Sequence, residues 1–447
     1  MSTLNLWALG QAHFHADGSL KLFANHVERA QGLPGLTLYP SRAAHGDFRR
    51  YLGAVTSQLA CAENGACKLT ASTSVIATDS RFDDPQGELG LGTTELDLRG
   101  RRVEQAFAGE VRLGERLTLV PTLHAAVEDL WIDTLEQASL RARRLFSRAA
   151  LGAHFVAARG VALHGLVSGE CHGTSANGEV PWSLVAPHES ELGLCDEFEP
   201  SARASLELGE TGLKFLANVG RYARVPTLGE LYGTSGAVRG NANLRPETGV
   251  SVDAGVRALG AASGFTLLDG SYLDLFGFAR VANELINYQR TGRGYVAPYN
   301  VDRARILGLE LLAGLRPLSF LLFELAGTLQ DPRNTSPNRV GNDYLQYRPR
   351  LVTTPRVEAS FKKPLRGIER AKITALYYFE AARYADAAGL IVIPAQQSLD
   401  FEGELAVLAE HLAARVRFSN VLNQPRADLI GYPLPGRAAY FTLEAKW

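Results

Sequence analysis

The feature that most limits how this chain can fold is a strict alternation of apolar and polar side chains, in segments of about 9–12 residues. In the last segment, one face carries Ala439, Phe441, Leu443, Ala445 and Trp447, and the other is polar. Successive side chains of a β-strand point to opposite faces, whereas a helix repeats its apolar positions every three or four residues. The chain is therefore predicted to be all-β.

Charged side chains in neighbouring segments indicate which face points outward. Asp400, Glu402 and Glu404 alternate with apolar residues in one segment, and Arg415 and Arg417 do so in the next. A Lys or Arg on the outer face of a barrel costs roughly 2–4 kcal/mol at the bilayer midplane. We therefore expect the charged faces to line a lumen, where the arginines balance a ladder of carboxylates. The alternative, paired carboxylates for acid–base catalysis, has no supporting motif.

The composition fits a membrane barrel and excludes several other classes. The 447 residues are 46% apolar, but no run approaches the roughly 20 apolar residues that a membrane-spanning helix needs. Only helices and closed barrels satisfy every backbone polar group in hydrocarbon. A net charge of −1 gives no basis for binding nucleic acid. No G-x-S-x-G, P-loop, G-x-G-x-x-G or H-E-x-x-H motif occurs, so we expect neither an enzyme nor a cofactor.

Short and long connections alternate along the chain. Nine short turns are expected at about 16–18, 61–66, 113–116, 159–160, 209–212, 260–263, 316–318, 362–369 and 409–411. Nine long segments are expected at about 29–47, 80–101, 130–147, 170–199, 223–247, 276–303, 330–349, 382–395 and 421–436. Short periplasmic turns and long extracellular loops are typical of outer-membrane barrels, and this spacing predicts about 19 strands. The Arg-rich segment Leu135–Phe146 also fits a helix.

The direction of the first and last strands adds a parity argument. The first strand, at about residues 4–15, and the last strand both run toward the short-turn side. Bacterial outer-membrane barrels normally have an even number of strands. An odd count that begins and ends in the same direction predicts an odd number of further strands in front.

Three groups of residues carry a family resemblance. The first is Arg224-Val225-Pro226-Thr227-Leu228-Gly229-Glu230-Leu231-Tyr232 followed by Gly240-Asn241-Ala242-Asn243-Leu244-Arg245-Pro246-Glu247. The second is Tyr299-Asn300 with Ala304-Arg305-Ile306-Leu307-Gly308-Leu309-Glu310, and the third runs from Asn420-Val421-Leu422-Asn423 through Gly431–Arg437 into the last strand. Together they resemble the TonB-dependent receptors, in particular those for cobalamin and siderophores. Pro425 is a minor departure from the family pattern.

Two of these groups also have a local physical meaning. Thr227 and Glu230 have the spacing of a capping box, which predicts a short helical turn above the strand that ends near Tyr222. The last strand carries the aromatic residues Tyr440, Phe441 and Trp447. An alternating strand with a C-terminal aromatic residue is similar to the signal that the barrel-assembly machinery reads.

The resemblance implies a barrel of 22 strands, so about 19 strands here leave three expected in front. It also implies an N-terminal plug domain, a TonB box and a signal peptide, and none of them is visible in this sequence. We therefore expect residues 1–447 to be the barrel domain alone. A truncated gene product and a mis-set start codon are the favoured explanations, and a split receptor is a third.

The expected function follows from the resemblance. It implies a receptor in the bacterial outer membrane that takes up a scarce nutrient, such as a siderophore–metal chelate or cobalamin, with energy from TonB. The segments at about 223–247 and 276–303 are the expected substrate-binding loops. The expected partners are outer-membrane lipid, the barrel-assembly machinery, a small chelate or vitamin and, only if a plug is supplied, the TonB complex. We expect a monomer.

Three other interpretations remain open. A barrel without a plug could be a passive porin-like pore or a surface-display protein, and a truncated fragment could be non-functional. A soluble all-β carbohydrate-binding or lyase protein would need shorter strands, nearer 5–6 residues, with apolar faces turned inward.

The cysteines suggest disulfides. Cys171 and Cys195 lie in one polar stretch and could close a loop of about 25 residues, which the chain-entropy model values at roughly 3 kcal/mol. Cys61 and Cys67 flank a turn signal and form a weaker candidate pair. Free thiols are the alternative.

Other polar and aromatic groups receive structural interpretations. Asp79, Asp83 and Asp84 could hold calcium, but they lack EF-hand spacing and a solvated loop is favoured. A metal site at His13, His15 and His26 is likewise less favoured than histidines without a metal. Five aromatic residues near predicted strand ends fit an interfacial girdle: Tyr222, Phe276, Tyr347, Tyr384 and Trp447.

Overall fold

The computed structural model describes residues 2–14, 18–33, 40–62, 65–89, 93–134, 139–178, 192–210, 212–235, 238–260, 269–290, 296–339, 341–430 and 432–446. Within them, nineteen long strands form one antiparallel sheet in which each pairs with the next along the chain. They are β1 (Ser2–Phe14), β2 (Gly18–Gly32), β3 (His45–Ala60), β4 (Cys67–Asp84), β5 (Thr94–Leu113), β6 (Leu117–Thr134), β7 (Ser139–Ala158), β8 (Val161–Gly178), β9 (Glu197–Glu210), β10 (Leu213–Arg224), β13 (Glu247–Leu259), β14 (Tyr272–Arg290), β15 (Val296–Leu318), β16 (Leu321–Asn334), β17 (Leu351–Leu365), β18 (Ile368–Glu380), β21 (Gln396–Val407), β22 (Leu412–Ser419) and β25 (Ala438–Ala445). The predicted antiparallel barrel of about 19 strands is confirmed.

In the described residues, short elements occur only in connections at one end of the barrel, here called the loop end; the other is the turn end. They are α1 (Leu228–Tyr232), β11 (Gly233–Ser235), β12 (Val238–Arg239), β19 (Arg383–Tyr384), β20 (Val392–Ile393), β23 (Ala427–Leu429) and β24 (Tyr432–Pro433). No helix in the described part of the chain has the length and apolarity to cross a bilayer.

The two edge strands of the sheet are β1 and β25. Among the described residues, β1 pairs only with β2 and β25 only with β22. Both edge strands run from the loop end to the turn end, because nineteen antiparallel strands are joined by eighteen reversals of direction, an even number.

Several strands are longer than the sequence predicted, so the loops are shorter. The expected loop at 276–303 is largely β14 and β15, which pair as far as Arg290 and Val296. The helical alternative for Leu135–Phe146 is wrong from Ser139 onward, because β7 pairs along its length with both neighbours. Residues 135–138 lie outside the described residues. The alternation continues beyond the bilayer, so these residues extend the strands and do not form loops.

The outward face of the sheet is apolar in β21, β22 and β25, as predicted. Phe401, Phe418 and Phe441 lie on one face and are 42%, 50% and 69% exposed. Arg415 and Glu404 lie opposite each other on the other face. The expected sense, with hydrocarbon-compatible side chains outward and ionisable ones toward the lumen, is confirmed for these strands.

At the loop end of β4–β8 the arrangement is reversed: the apolar face points inward and the charged face outward. There the inward residues are apolar and almost fully buried: Leu96, Leu98, Ile132 and Leu140. The outward residues are charged, and Arg143 Nε lies 2.5 Å from Asp129 Oδ1. A charged outer face is stable only in water, so these strand ends project beyond the bilayer, and their inward face packs on protein.

Candidate functional site

The helical turn that the sequence predicted is present at the loop end. Thr227 caps α1: its hydroxyl accepts from the Glu230 N–H at 3.1 Å, and Glu230 Oε2 accepts from the Thr227 N–H at 2.8 Å. Both halves of the capping box are therefore formed, which fixes the backbone before Leu228. The prediction of a capping box is confirmed.

The connection that contains α1 folds inward; we call residues 225–235 and 238–246 the strut. On one side of the barrel, the Arg144 guanidinium of β7 donates to the Pro226 carbonyl oxygen at 2.6 Å and to Thr174 Oγ1 at 3.0 Å. On the other side, Asn241 Nδ2 donates to the Pro298 carbonyl oxygen of β15 at 3.1 Å. The strut therefore joins wall strands that are distant in the sheet.

Further bonds to β14 and β15 complete this attachment. Asn300 Nδ2 donates to the Arg245 carbonyl oxygen at 3.0 Å, and the Arg245 N–H donates to Asn300 Oδ1 at 2.9 Å. Arg245 Nη2 lies 3.0 Å from Glu284 Oε1. Asn300 belongs to the second family motif, so the two motifs meet in space.

Apolar packing holds the strut against the wall. Leu228, Leu231 and Tyr232 of α1 form one buried cluster with the reversed face of β5–β7 and with Ile286 of β14. A buried Leu is worth about 1.5–3 kcal/mol relative to an exposed one. Burial raises the pKa of Tyr232, and nearby Arg144 opposes that shift.

Arg224 bridges two carboxylates at the base of the strut. Its guanidinium donates to Glu230 Oε2 at 3.0 Å and lies 3.6 Å from Glu247 Oε2. Glu247 Oε1 also accepts from the Tyr222 hydroxyl at 2.9 Å. Burial acts to raise the pKa of Glu230, but the Thr227 N–H and Arg224 outweigh it and hold that pKa below its usual value. Glu230 is therefore ionised, and its carboxylate accepts hydrogen bonds from Thr227 and Arg224.

A second connection, residues 335–350 apart from 340, also folds inward. Gln346 is 2% exposed, and its Oε1 accepts from Asn287 Nδ2 at 2.8 Å and from the Tyr299 hydroxyl at 2.6 Å. Leu345 is 1% exposed in an apolar cluster with β14 and β15. This anchoring carries Arg348 into the lumen.

Beneath these two connections lies a cavity of about 600 Å³ on the lumenal wall. Phe276 and Phe278 form an apolar part of its lining. Its charged lining residues are Arg203, Asp253, Arg280, Glu310 and Arg348. The volume is in the range of small-molecule sites.

Lower on the wall, the predicted ladder of opposite charges is present. Arg415 Nη2 lies 2.8 Å from Glu404 Oε2, and Arg370 Nη2 lies 2.9 Å from Glu404 Oε1. Arg417 Nη2 lies 2.7 Å from Asp400 Oδ2. These carboxylates are held by arginines on adjacent strands, as the sequence predicted.

The family-motif residues fall into two groups in the structure. Arg224, Pro226, Thr227, Glu230, Tyr232, Asn241, Pro246 and Glu247 belong to the strut or its two ends, whereas Gly308 and Glu310 lie on β15 beside the cavity. Tyr440 and Phe441 lie on opposite faces of β25, and Trp447 lies outside the described residues. The role of these aromatic residues in assembly stays a prediction.

Both cysteine pairs are joined as disulfides. Cys171 on β8 is bonded to Cys195 just before β9, and Cys61 is bonded to Cys67 across a turn. Disulfides form and persist in oxidising compartments such as the periplasm and the cell surface.

The two metal alternatives find no geometric support. Asp84 is buried and accepts from the Glu88 and Leu89 N–H groups at 2.8 and 2.7 Å, while Asp83 points to the opposite face of β4. The expected solvated loop is also wrong, because β4 continues to Asp84. His13 and His26 lie seven rows apart on opposite faces of β1 and β2, and His15 lies outside the described residues.

The predicted aromatic girdle is wrong for its four described members. Tyr222 and Phe276 point into the lumen, because they share strand parity with polar or cavity-lining residues. Tyr347 lies in the second inward connection, and its N–H donates to the carbonyl oxygen of Tyr384, in the connection between β18 and β21, at 2.7 Å. Exposed rings near the turn end include Phe155, Phe215, Phe320 and Phe361.

Sequence reasoning missed the arginines of the cavity. Arg203 and Arg280 sit at inward positions of their strands, so parity would have placed them in the lumen. Nothing local in the sequence places Arg348 beside them, since its position depends on how the second connection folds.

Comparison with known proteins gives a consistent picture. A family model described as TonB dependent receptor-like, beta-barrel matches residues 188–423. The vitamin B12 transporter BtuB of Vibrio vulnificus (strain YJ016) is 30% identical over 125 residues, 28% of this chain and 18% of that protein. The matched stretch thus spans less than a fifth of the transporter's length.

Solved structures share the fold at low sequence identity. The copper transporter OprC superposes with a TM-score of 0.77 at 15% identity, over 99% of this chain and 71% of that one. The FrpB iron transporter from Neisseria meningitidis gives a TM-score of 0.74 at 12% identity, over 99% and 72%. The ferric preacinetobactin receptor BauA from Acinetobacter baumannii gives 0.71 at 11% identity, over 99% and 71%.

Proposed function

Because the chain belongs to the family of TonB-dependent receptor β-barrels, we propose that it supplies the barrel of a bacterial outer-membrane receptor for energy-dependent nutrient uptake. The nutrient class that we propose is a scarce, bulky compound such as a siderophore–metal chelate or cobalamin. The vitamin B12 transporter matched over 125 residues and the iron and copper transporters of similar fold support this class.

The observation that carries the proposal is the strut. A passive pore needs an open lumen, but here two connections fold inward and are fastened to the wall by buried hydrogen bonds, such as Arg144 to the Pro226 carbonyl oxygen. Such a mouth is narrower than an open barrel and presents side chains to a ligand. We propose that the strut and the cavity beneath it receive the ligand.

The proposed partners follow from the family. Members bind small molecules and interact with TonB, and we extend both properties to the receptor that contains this barrel, with a plug domain supplying the contact to TonB. The two disulfides support a location on the oxidising side of the inner membrane.

The experiment is deletion of the gene in its native host, followed by uptake of labelled cobalamin and of a panel of ferric chelates. We expect loss of uptake of one compound, restoration by the intact gene, and the same loss when a protonophore collapses the energy supply. Outer-membrane fractionation and heat-modifiable migration on gels check the location and the folded barrel. Unchanged uptake of every compound would contradict the proposal.

The passive-pore alternative makes the opposite forecast. The purified protein would then conduct ions in planar bilayers without any energy input, and uptake would survive the protonophore. Uptake that survives the protonophore would favour that alternative.

A further inference from the structure

We propose that Arg203, Arg280 and Arg348 form an anion-binding subsite on the lumenal wall, for a carboxylate or phosphate group of a small organic ligand. This inference rests on the proposed function, because it names the chemistry of the solute that the mouth would receive. Three cationic side chains line one cavity of about 600 Å³.

The register of the strands leaves a hollow between Arg203 and Arg280. Arg203, Gly220, Ser251 and Arg280 are successive partners across β9, β10, β13 and β14. Neighbouring strands lie about 4.8 Å apart, so the two arginine Cα atoms are roughly 14 Å apart. Gly220 has no side chain and Ser251 has a small one. An anion can therefore sit between the two guanidinium groups.

The third arginine enters from above on an anchored connection. Gln346 is held by Asn287 and Tyr299, and the Gln330 N–H donates to the Arg350 carbonyl oxygen at 2.8 Å. The backbone on both sides of Arg348 is therefore anchored, and its side chain lines the cavity. Burial lowers the pKa of Arg348, and Arg280 contributes in the same direction while Glu247 opposes.

These three arginines lack the carboxylate partner that Arg370 and Arg415 have in the ladder near Glu404. Among the described residues, no carboxylate oxygen lies within 4.0 Å of their guanidinium nitrogens. Elsewhere on the wall, Glu404, Asp400 and Glu207 each pair with a cation on a neighbouring strand. Arg203 and Arg280 are exposed to the lumen and Arg348 is half-buried, so their guanidinium groups are accessible to an anionic solute.

Of the acids near the arginines, Glu247 and Asp253 have other partners, and Glu310 lies opposite Phe276, four residues along β15 from Ile306, which is the partner of Arg280. Glu247 is engaged by the Tyr222 hydroxyl at 2.9 Å and by the Ile286 N–H at 3.2 Å. Asp253 accepts from Asn218 Nδ2 at 2.5 Å. Arg280 instead lies 5.2 Å from the centre of the Tyr222 ring.

The chemistry of arginine and the lining define the ligand class. Guanidinium groups bind carboxylate or phosphate through two parallel hydrogen bonds. Phe276 and Phe278 lie beside them and offer apolar contact. The subsite thus fits an organic anion whose charged group adjoins an apolar body.

The test is calorimetric titration of the purified, full chain with inorganic phosphate and with tricarballylate, a small tricarboxylate, at low salt. We expect saturable binding, weakened roughly tenfold by each of Arg203→Gln, Arg280→Gln and Arg348→Gln. Arg366→Gln removes the same charge at an exposed turn and serves as the matched control. Arg280→Lys keeps the charge but not the paired donors, so we expect an intermediate affinity.

Three results would overturn the inference. One is the same affinity in the cavity variants as in the parent; another is an equal loss in Arg366→Gln. The third is no saturable binding of either anion to the parent protein. Heat-modifiable migration verifies folding, and Arg203→Lys with Arg348→Lys replace any glutamine variant that fails to fold. Anion binding without nutrient uptake would defeat the proposed function and leave the subsite standing.

Discussion

The ring of Phe278 on β14 lies over Gly308, the residue directly opposite it on β15. A Cβ atom at Gly308 would come within 2.3 Å of Phe278 Cζ and 2.7 Å of the Leu329 carbonyl oxygen. Three other rings on the same wall cover glycines in this way: Tyr222 on Gly249, Phe276 on Gly255 and Tyr272 on Gly314. The glycine of the second family motif therefore makes room for an aromatic lining of the cavity.

Replacing that glycine tests the packing. We expect Gly308→Ala to destabilise the barrel by roughly 1–3 kcal/mol, because Phe278 and the neighbouring backbone must both move. The measurement is the urea midpoint of unfolding, followed by heat-modifiable migration. Gly403→Ala is the matched control, since a Cβ there meets nothing within 4 Å. Equal midpoints for the two variants would show that the ring does not constrain Gly308.

The capping box of the strut can be tested locally. We expect Thr227→Ala to cost about 1 kcal/mol of local stability, because the Glu230 N–H and the Glu230 carboxylate each lose a partner. Faster amide exchange in α1, with little change at β21 and β22, is the expected readout. Thr3→Ala on the exposed edge strand is the control. Unchanged exchange at Leu231, whose N–H donates to the Thr227 carbonyl oxygen at 3.0 Å, would count against this role.

Glu88 gives a prediction about pH. Its carboxylate accepts from Ser41 Oγ at 2.7 Å and from the Arg42 and Ala43 N–H groups at 2.9 and 2.8 Å. The Ala43 N–H, Ser41 and the Arg42 N–H lower the pKa of Glu88 from 4.5 to about 2. Because the folded pKa is depressed, this clamp is complete above about pH 4.5, and its contribution disappears as the pH falls toward 2.

The readout for this clamp is amide exchange at residues 42–44, measured from pH 6 to pH 2 and corrected for intrinsic rates. We expect protection to fall across that window. Glu88→Gln should give low protection at every pH, whereas Glu115→Gln in an exposed turn should match the parent. Protection that is flat with pH in the parent would exclude the clamp.

The two disulfides should differ in how much they stabilise the fold. Cys171 and Cys195 are separated by 24 residues, and Cys61 and Cys67 by 6. The chain-entropy model values loops of these sizes at about 3 and about 2 kcal/mol. We expect the Cys171→Ser/Cys195→Ser variant to show the larger fall in unfolding midpoint and the faster proteolysis between β8 and β9. A larger effect from the Cys61→Ser/Cys67→Ser control would contradict this ranking.

The strand pattern was predictable because it is a local property. In Leu412–Ser419 and Ala438–Ala445, each side chain's face follows from its neighbour's, and the cost of charge in lipid then fixes which face is outward. The same reasoning was wrong at Leu96 and Leu140. Beyond the bilayer that cost no longer applies, and the strut, which is distant in sequence, covers the inward face.

The sequence by itself determined the barrel, the strand count, the lumenal ladder near Glu404 and the capped turn at Thr227, since each depends on spacing along the chain. Only the tertiary structure decided where that turn lies in the barrel. It also decided which arginines have a carboxylate partner and which do not. Arg415 and Arg280 both occupy inward strand positions, yet Arg415 faces Glu404 while Arg280 faces Ser251 and Ile306. Register between strands and the inward folding of loops set those neighbours, and neither is encoded in the local pattern.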